Sequence, residues 1–243
     1  MIKLFKFKNK NNKPTNNYLA KKTVIGFVEG EIGPKKFLEM FQKDDDIYNW
    51  IQSIVPKKKT CYKHTSYKVT TKFGNSHTQI KEEIVPYDIK LIIEQHLSTK
   101  ENIYGIYLDI HHEIANLIRE VFPEENIKVS NELDNIFLFM LEACPEYIGG
   151  PDVESSGILE ELLKNIPQNL SQTGQKDWYK DQLKAKFHVT STKYPRWIQT
   201  PEWPVSNGRP MRFVSQEKAN PEGISYLFED IETGEQRIVF QTT

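Results

Sequence analysis

Six histidines (His64, His77, His96, His111, His112 and His188) and two cysteines (Cys61 and Cys144) are the side chains of this sequence best suited to metal binding or nucleophilic catalysis. His111-His112-Glu113 has the composition of a metal-ligand fragment. Adjacent residues on a helix point about 100° apart, so such neighbours do not readily share one ion. A zinc helix places histidines at i and i+4, and that HExxH spacing is absent. Asp109 and Glu113 do share a face, and the reading is a solvated helix surface with one partly buried histidine. Cys61-Tyr62-Lys63-His64 holds the residue types of a nucleophile and its base. No nucleophile elbow or oxyanion-hole motif accompanies it, so Cys61 reads as a small residue at a strand start and Cys144, on an apolar stripe, as core. Gly149-Gly150-Pro151 lacks the lysine and hydroxyl residue of a phosphate-binding loop and reads as a turn between helices. No catalytic residue, metal or cofactor is assigned.

Residue types suited to recognition are better represented. Glu142, Glu146, Asp152 and Glu154 form a candidate acidic rim for a basic ligand. Arg196, Glu202 and Trp203 lie in the proline-interrupted run Tyr194–Pro204, and Trp and Arg are the types enriched at binding hot spots. These seven residues are the candidate partner-binding set. Trp197 reads as core; for Trp203, exposure and a place over the sheet stay open. Lysines interleaved with aromatics over 57–73 (Lys57, Lys58, Lys59, Tyr62, Lys63, Tyr67, Lys68, Lys72) have the pattern of a nucleic-acid contact, but the acidic remainder of the chain argues against phosphate binding.

The charge is unevenly placed. Residues 1–22 carry seven lysines and no acid, whereas the other 221 residues hold 25 Lys and Arg against 33 Asp and Glu, a net −8. An acidic body attracts basic partners. The 28 aromatics argue against disorder. Two cysteines without a CxxC indicate no disulfide framework and fit reduced thiols in the cytoplasm. No apolar run reaches the ~18 residues of a membrane span. Met1–Lys8 alternates lysine with apolar residues, unlike a signal peptide, and reads as a short edge strand.

Hydrophobic periodicity supplies the elements that would position these groups. Asn9–Asn17 reads as a connector and Thr23–Val28 as a β-type run. Pro34 opens a helix bearing Phe37, Met40 and Phe41. Asp44–Asp46 cap the next one, which carries Ile47, Trp50, Ile51 and Ile54. Tyr67, Val69, Thr71 and Phe73 alternate as a strand, Gly74-Asn75 turns, and His77–Ile84 returns. Asp88 caps a helix with Ile89, Ile92 and Ile93. Four stripes of period 3.6 follow: Ile110–Val121, Leu133–Cys144, Ile158–Ile166 and Tyr179–Phe187. Three short strands, Met211–Gln216, Ile224–Phe228 and Arg237–Gln241, end the chain, joined by turns that favour an antiparallel meander. The predicted fold class is α+β: a helix-rich middle, an antiparallel hairpin and a C-terminal three-stranded unit. The expected organisation is a basic leader at 1–22, a main domain at 23–190 and a β-meander at 191–243 packed on it, or a single domain over 23–243.

Several segments carry a family resemblance. They are Phe27–Ile32 with Pro34, Ile47–Pro56, Cys144-Pro145-Glu146-Tyr147-Ile148-Gly149-Gly150, Tyr194–Gln199, Pro201–Pro204, Pro210–Gln216, and Phe228-Glu229-Asp230 with Thr233-Gly234-Glu235. The chain resembles an uncharacterised family of bacterial proteins found in polymorphic-toxin immunity neighbourhoods. About fifty C-terminal residues are also distantly similar to YwqG-like proteins through a Trp-Ile-Gln, then Met-x-Phe, pattern; the cysteine pair of many such members is missing, and no metal role is carried over. The resemblance implies an immunity or orphan locus rather than a mechanism; taken with the lack of a catalytic constellation and the acidic body, it gives the leading expectation, a non-enzymatic immunity protein that occludes a cognate, basic toxin domain, with no nucleic-acid or membrane partner. Two alternatives stand beside it: an enzyme assembled from dispersed residues such as Cys61, His64 and His111, and a regulatory module whose lysine-rich leader docks on an anionic partner.

Overall fold

The computed structural model describes residues 17–70, 76–99, 103–219 and 223–242. The basic leader, apart from residues 17–22, lies outside them. So do the Met1–Lys8 strand, most of the Asn9–Asn17 connector, and the Gly74-Asn75 turn with Lys72. The fold is α+β, as the periodicities predict. Its contacts divide the chain into two compact units that part at 134/135, within a helix, rather than near residue 190.

In the first unit, α1 (Asn17–Val28), α2 (Pro34–Lys43) and α3 (Asp45–Ile54) precede a hairpin of β1 (Thr60–Thr70) and β2 (Ser76–Pro86). Then come α4 (Ile89–Ser98), α5 (Ile103–Val121) and the start of α6 (Glu132–Ala143). The expected β-run Thr23–Val28 is helical. Its β-branched residues favour a strand locally, but Ala20, Val24, Phe27 and Val28 fall at helical spacing, and all four are buried among the helices. Residues 17–22 open that helix, so this part of the leader is structured and Ala20 is core.

Asp44 caps α3 by accepting from the Asp46 amide at 3.0 Å. Asp88 caps α4 by accepting from the amides of Lys90 at 2.9 Å and Leu91 at 3.4 Å. Gln52 fastens α3 to the start of α4, donating to the Tyr87 carbonyl and accepting from the Ile89 amide. Phe27 stacks on Phe37 with ring centroids 4.0 Å apart, and Trp50 stacks on Phe122. The hairpin pairs eleven residues with eleven, Thr60 opposite Pro86 through Thr70 opposite Ser76.

The second unit begins within α6 and continues through α7 (Pro151–Ser156), α8 (Ile158–Lys164) and α9 (Gln172–Lys186). A two-residue ribbon of β3 (Val205–Ser206) and β4 (Arg209–Pro210) follows. Its Asn207-Gly208 turn has both residues in the left-handed region, as a tight hairpin requires. The chain then forms an antiparallel meander in the order β5 (Arg212–Ala219), β6 (Gly223–Glu229), β7 (Gln236–Thr242), with a bulge between Phe213 and Ser215. Its core gathers Val153, Ile158, Leu159, Tyr179, Leu183 and Phe187 from the helices with Trp203, Met211, Phe213, Tyr226 and Phe228 from the C-terminal segment. Among the described residues, no helix is long and apolar enough to cross a membrane.

Candidate functional site

All seven candidate partner-binding residues fall in the second unit, and its fold brings their two segments together. Trp197 Nε1 donates to the Tyr147 carbonyl at 2.9 Å, and Tyr147 stacks on Tyr194 at 4.6 Å. The Trp203 amide donates to the Gly149 carbonyl at 3.0 Å. Gly150 takes φ +110°, and a Cβ there would stand 2.7 Å from the Pro201 carbonyl oxygen and 2.9 Å from Glu202 Cα. The two glycines are therefore the place where the loop 144–150 lies against the segment 201–203. That close approach, not phosphate binding, accounts for the Gly-Gly-Pro sequence.

Glu146 is exposed on this strapped loop, and Glu202 is half-buried on the facing segment. Among the described residues neither forms an ion pair. Glu142 pairs with Lys176, and Lys176 lies on α9. Asp152, in the first turn of α7, accepts from Arg237 Nη1 at 3.1 Å and weakly from the Val205 amide at 3.5 Å. Its charge is thus spent holding α7 to β7 and β3. Glu154 is half-buried on α7. Arg196 is exposed, and its backbone is fixed at both ends: its amide donates to Gln216 and its carbonyl accepts from the Tyr226 hydroxyl.

Trp203, expected among the partner-binding residues, is a core side chain. It is 0% exposed. Its indole Nε1 donates to the Met211 carbonyl at 2.8 Å, and its ring meets Phe187 and Phe228 edge-on at 5.1 and 5.4 Å. It is the largest fully buried side chain of the unit and a packing residue, unavailable to a partner. Trp197, expected in the core, is only half-buried, with one face on Tyr226 and Phe228. The proline-rich run crosses the sheet so that Trp203 enters between α9 and β6 while Trp197 stays nearer the rim. Periodicity cannot rank two indoles in an irregular segment.

Sequence reasoning missed a buried carboxylate nearby. Asp230 is 3% exposed, and its Oδ1 accepts from the amides of Glu232 at 2.9 Å and Thr233 at 3.3 Å. Arg209 reaches it at 3.2 Å and Glu232 at 3.0 Å. The Glu232 amide foremost, with the Ser206 hydroxyl, the Thr233 amide and the Arg209 charge, holds the Asp230 carboxyl below its ordinary range against the opposing effect of burial. An aspartate opening the turn Asp230–Gly234 is the signal that marks it. Its role is to tie the Asn207-Gly208 turn to the β6–β7 turn.

In the first unit the chemistry-bearing residues do not converge. Cys61 and His64 are three apart on β1, so they project from opposite faces of the hairpin and cannot act as a thiol–imidazole pair. Cys61 Sγ lies 3.7 Å from the Pro86 carbonyl, and His64 faces Glu82 at 3.5 Å. His111 is 1% exposed, with Nε2 3.1 Å from the Val28 carbonyl and Nδ1 without a partner. Burial holds its pKa below the ordinary histidine value. Its neighbour His112 is exposed and faces Asp134 at 3.1 Å, so the two imidazoles of the pair point to different surroundings. Burial pushes the Cys144 thiol, in the second unit, up to about 12. An open trough of about 560 Å³ is lined by Gln52, Lys63, Tyr87, Asp88, Lys90 and Glu94 among others, with charges of both signs and Asp88 already committed to its cap. Among the described residues no three His, Cys, Asp or Glu side chains are grouped to hold a metal ion.

No protein-family model matches the chain, and no curated protein or solved structure does either.

Proposed function

We propose that this protein works by binding another protein, as a cytoplasmic immunity protein that covers the active surface of a basic toxin domain. The observation that carries the reading is the pair of segments 142–154 and 196–202. They and the flanking Tyr194 and Trp203 are held together by one backbone hydrogen bond from Trp203 to Gly149, the Trp197 indole N–H on the Tyr147 carbonyl and the stacking of Tyr147 on Tyr194, and the two segments present Glu146 and Glu202 without ion-pair partners among the described residues. A rigid frame keeps the ordering cost of binding low. The second unit, residues 135–243, holds 11 Lys and Arg against 15 Asp and Glu, and that net −4 speeds encounter with a cationic partner. Arg196 and the open side of Trp197 supply hydrogen-bonding and aromatic contact at the rim. Asp152 and Trp203 support the frame from behind.

The test is co-expression and titration with the toxin-like product of a neighbouring gene. The expected result is a complex at micromolar concentration or tighter, rescue of cells expressing the toxin, and association about tenfold slower in the Glu146→Lys, Glu202→Lys double variant. Absence of binding and of rescue by the unaltered protein rejects the reading.

A further inference from the structure

Strand β7 is one of the two outer strands of the C-terminal meander among the described residues, β5 being the other, and it lacks the devices that normally keep an edge unpaired. Over Gln236–Thr242 it contains no proline and no lysine. It carries no bulge, because its register with β6 runs unbroken from Gly223 opposite Thr242 to Glu229 opposite Gln236. Its single charged residue, Arg237, sits on the inner side of the strand and is engaged by Asp152. Its outer side presents Gln236, Ile238, Phe240 and Thr242, with Ile238 67% and Phe240 53% exposed. The meander's other outer strand, β5, carries the bulge between Phe213 and Ser215 and the charged Arg212, Glu217 and Lys218, and the hairpin strand β2 carries Lys81, Glu82 and Glu83 with Pro86 at its end. The contrast separates an edge built to stay single from one built to be joined.

The sequence of β7 also selects its partner. It is self-complementary about Val239. When two copies run antiparallel with Val239 opposite Val239, Ile238 of one copy stands opposite Phe240 of the other, and the reverse pair repeats on the far side of the two-fold axis. Aromatic–β-branched pairs of this kind are among the favourable cross-strand combinations. Arg237 falls opposite Gln241 of the second copy, so no like charges meet. Leu227 lies opposite Ile238 within each meander, so the apolar row continues across the junction. The Phe240 ring lies over Gly223 of β6, where a Cβ would come within 2.6 Å of Cζ, so its position on this face is held by its own sheet. At the strand end Gln199 Nε2 occupies the Thr242 carbonyl, which confines the new ladder to residues before Thr242.

We infer that two copies of this chain associate through β7, joining their meanders into one six-stranded antiparallel sheet about a two-fold axis. A single strand-to-strand junction is small, below about 1,200 Å² in total, so the dimer is expected to dissociate in the micromolar range. Sedimentation velocity of the full chain over a concentration series tests this. The expected result is a shift from the 28.4 kDa monomer toward twice that mass, abolished in the Ile238→Lys, Phe240→Lys double variant and unchanged in Glu217→Lys, which lies on β5. Both altered side chains are exposed, so the folded monomer survives, and its circular dichroism confirms that. Register is read by mixing an Ile238→Cys chain with a Phe240→Cys chain under mild oxidation. A disulfide-linked heterodimer, beyond what the native Cys61 and Cys144 give in the unaltered chain, supports the stated pairing. A monomer at every concentration overturns the inference, as does a dimer indifferent to the double variant. Slow amide exchange along β7 in a protein that stays monomeric would assign the edge to another part of the same chain and would overturn it equally.

Discussion

Replacing Trp203 by Phe tests the assignment of this indole to packing. The substitution keeps an aromatic ring between Phe187 and Phe228 but removes the N–H that donates to the Met211 carbonyl at 2.8 Å. Leaving a buried carbonyl unpaired costs about 1–2 kcal/mol. The lost ring withdraws roughly 50 Å² of apolar burial, worth about 1 kcal/mol at the usual area coefficient, with a further contribution from the space left behind. The expected loss is therefore about 2–3 kcal/mol. Trp203→Ala would cost about 3–5 kcal/mol, enough to unfold a unit of ordinary stability, so Phe is the informative change. The assay is urea unfolding followed by far-UV circular dichroism, because the remaining tryptophans would mix signals from both units. With a slope of about 1–3 kcal/mol per molar, the transition of the affected unit should move down by about 0.7–3 M. A matched Trp197→Phe variant, altering a half-buried ring, should move it less. A loss below about 0.5 kcal/mol in Trp203→Phe, accompanied by weaker partner binding, would refute the packing argument and return Trp203 to the surface.

Gly150→Ala should destabilise the second unit by about 3 kcal/mol, since it combines left-handed strain with a collision against the Pro201 carbonyl. Gly157→Ala, also at positive φ but facing open space, should cost about 1 kcal/mol in the same urea experiment. His111 is neutral in its buried site, with a folded pKa below the 6.5 of the unfolded chain, so the unfolded state binds the extra proton. Stability should hold above about pH 6.5 and fall as the pH drops from there toward the folded value. His111→Gln should flatten that decline, and unchanged pH dependence would contradict the assignment. Cys144, with its thiol raised to about 12, should resist iodoacetamide at neutral pH and react only on unfolding, as mass spectrometry of the modified peptide would show.

Local chemistry made much of this legible. Asp44 and Asp88 announce helix starts because a carboxylate beside free amides has one good use, and both cap as read. The stripes of α5, α8 and α9 each require one buried face, which is a property of the segment alone; the alternation of β1 and β2 marked strands, but Tyr62, Tyr67, Ile80 and Ile84 on them are exposed. Asn207-Gly208 specified its turn through the backbone angles it tolerates. The partner set was legible only as a neighbourhood. Glu142, Glu146, Asp152, Glu154, Arg196, Glu202 and Trp203 share one unit, yet nothing in their spacing separates Glu146 and Glu202, without ion pairs among the described residues, from Asp152, which Arg237 neutralises from 85 residues away.

What the sequence determined by itself was periodicity, caps and turns, together with an acidic, aromatic-rich composition, because these depend on residues within a few positions of each other. The tertiary structure alone decided that Val24 and Val28 lie in a helix and that Cys61 and His64 are set on opposite sides of a ribbon. It alone put Trp203 inside and Trp197 at the rim, and left a seven-residue edge at β7 unpaired among the described residues. Each of these outcomes turns on which distant surface a side chain meets, and burial against that surface outweighs the fraction of a kcal/mol by which local propensity prefers one conformation to another.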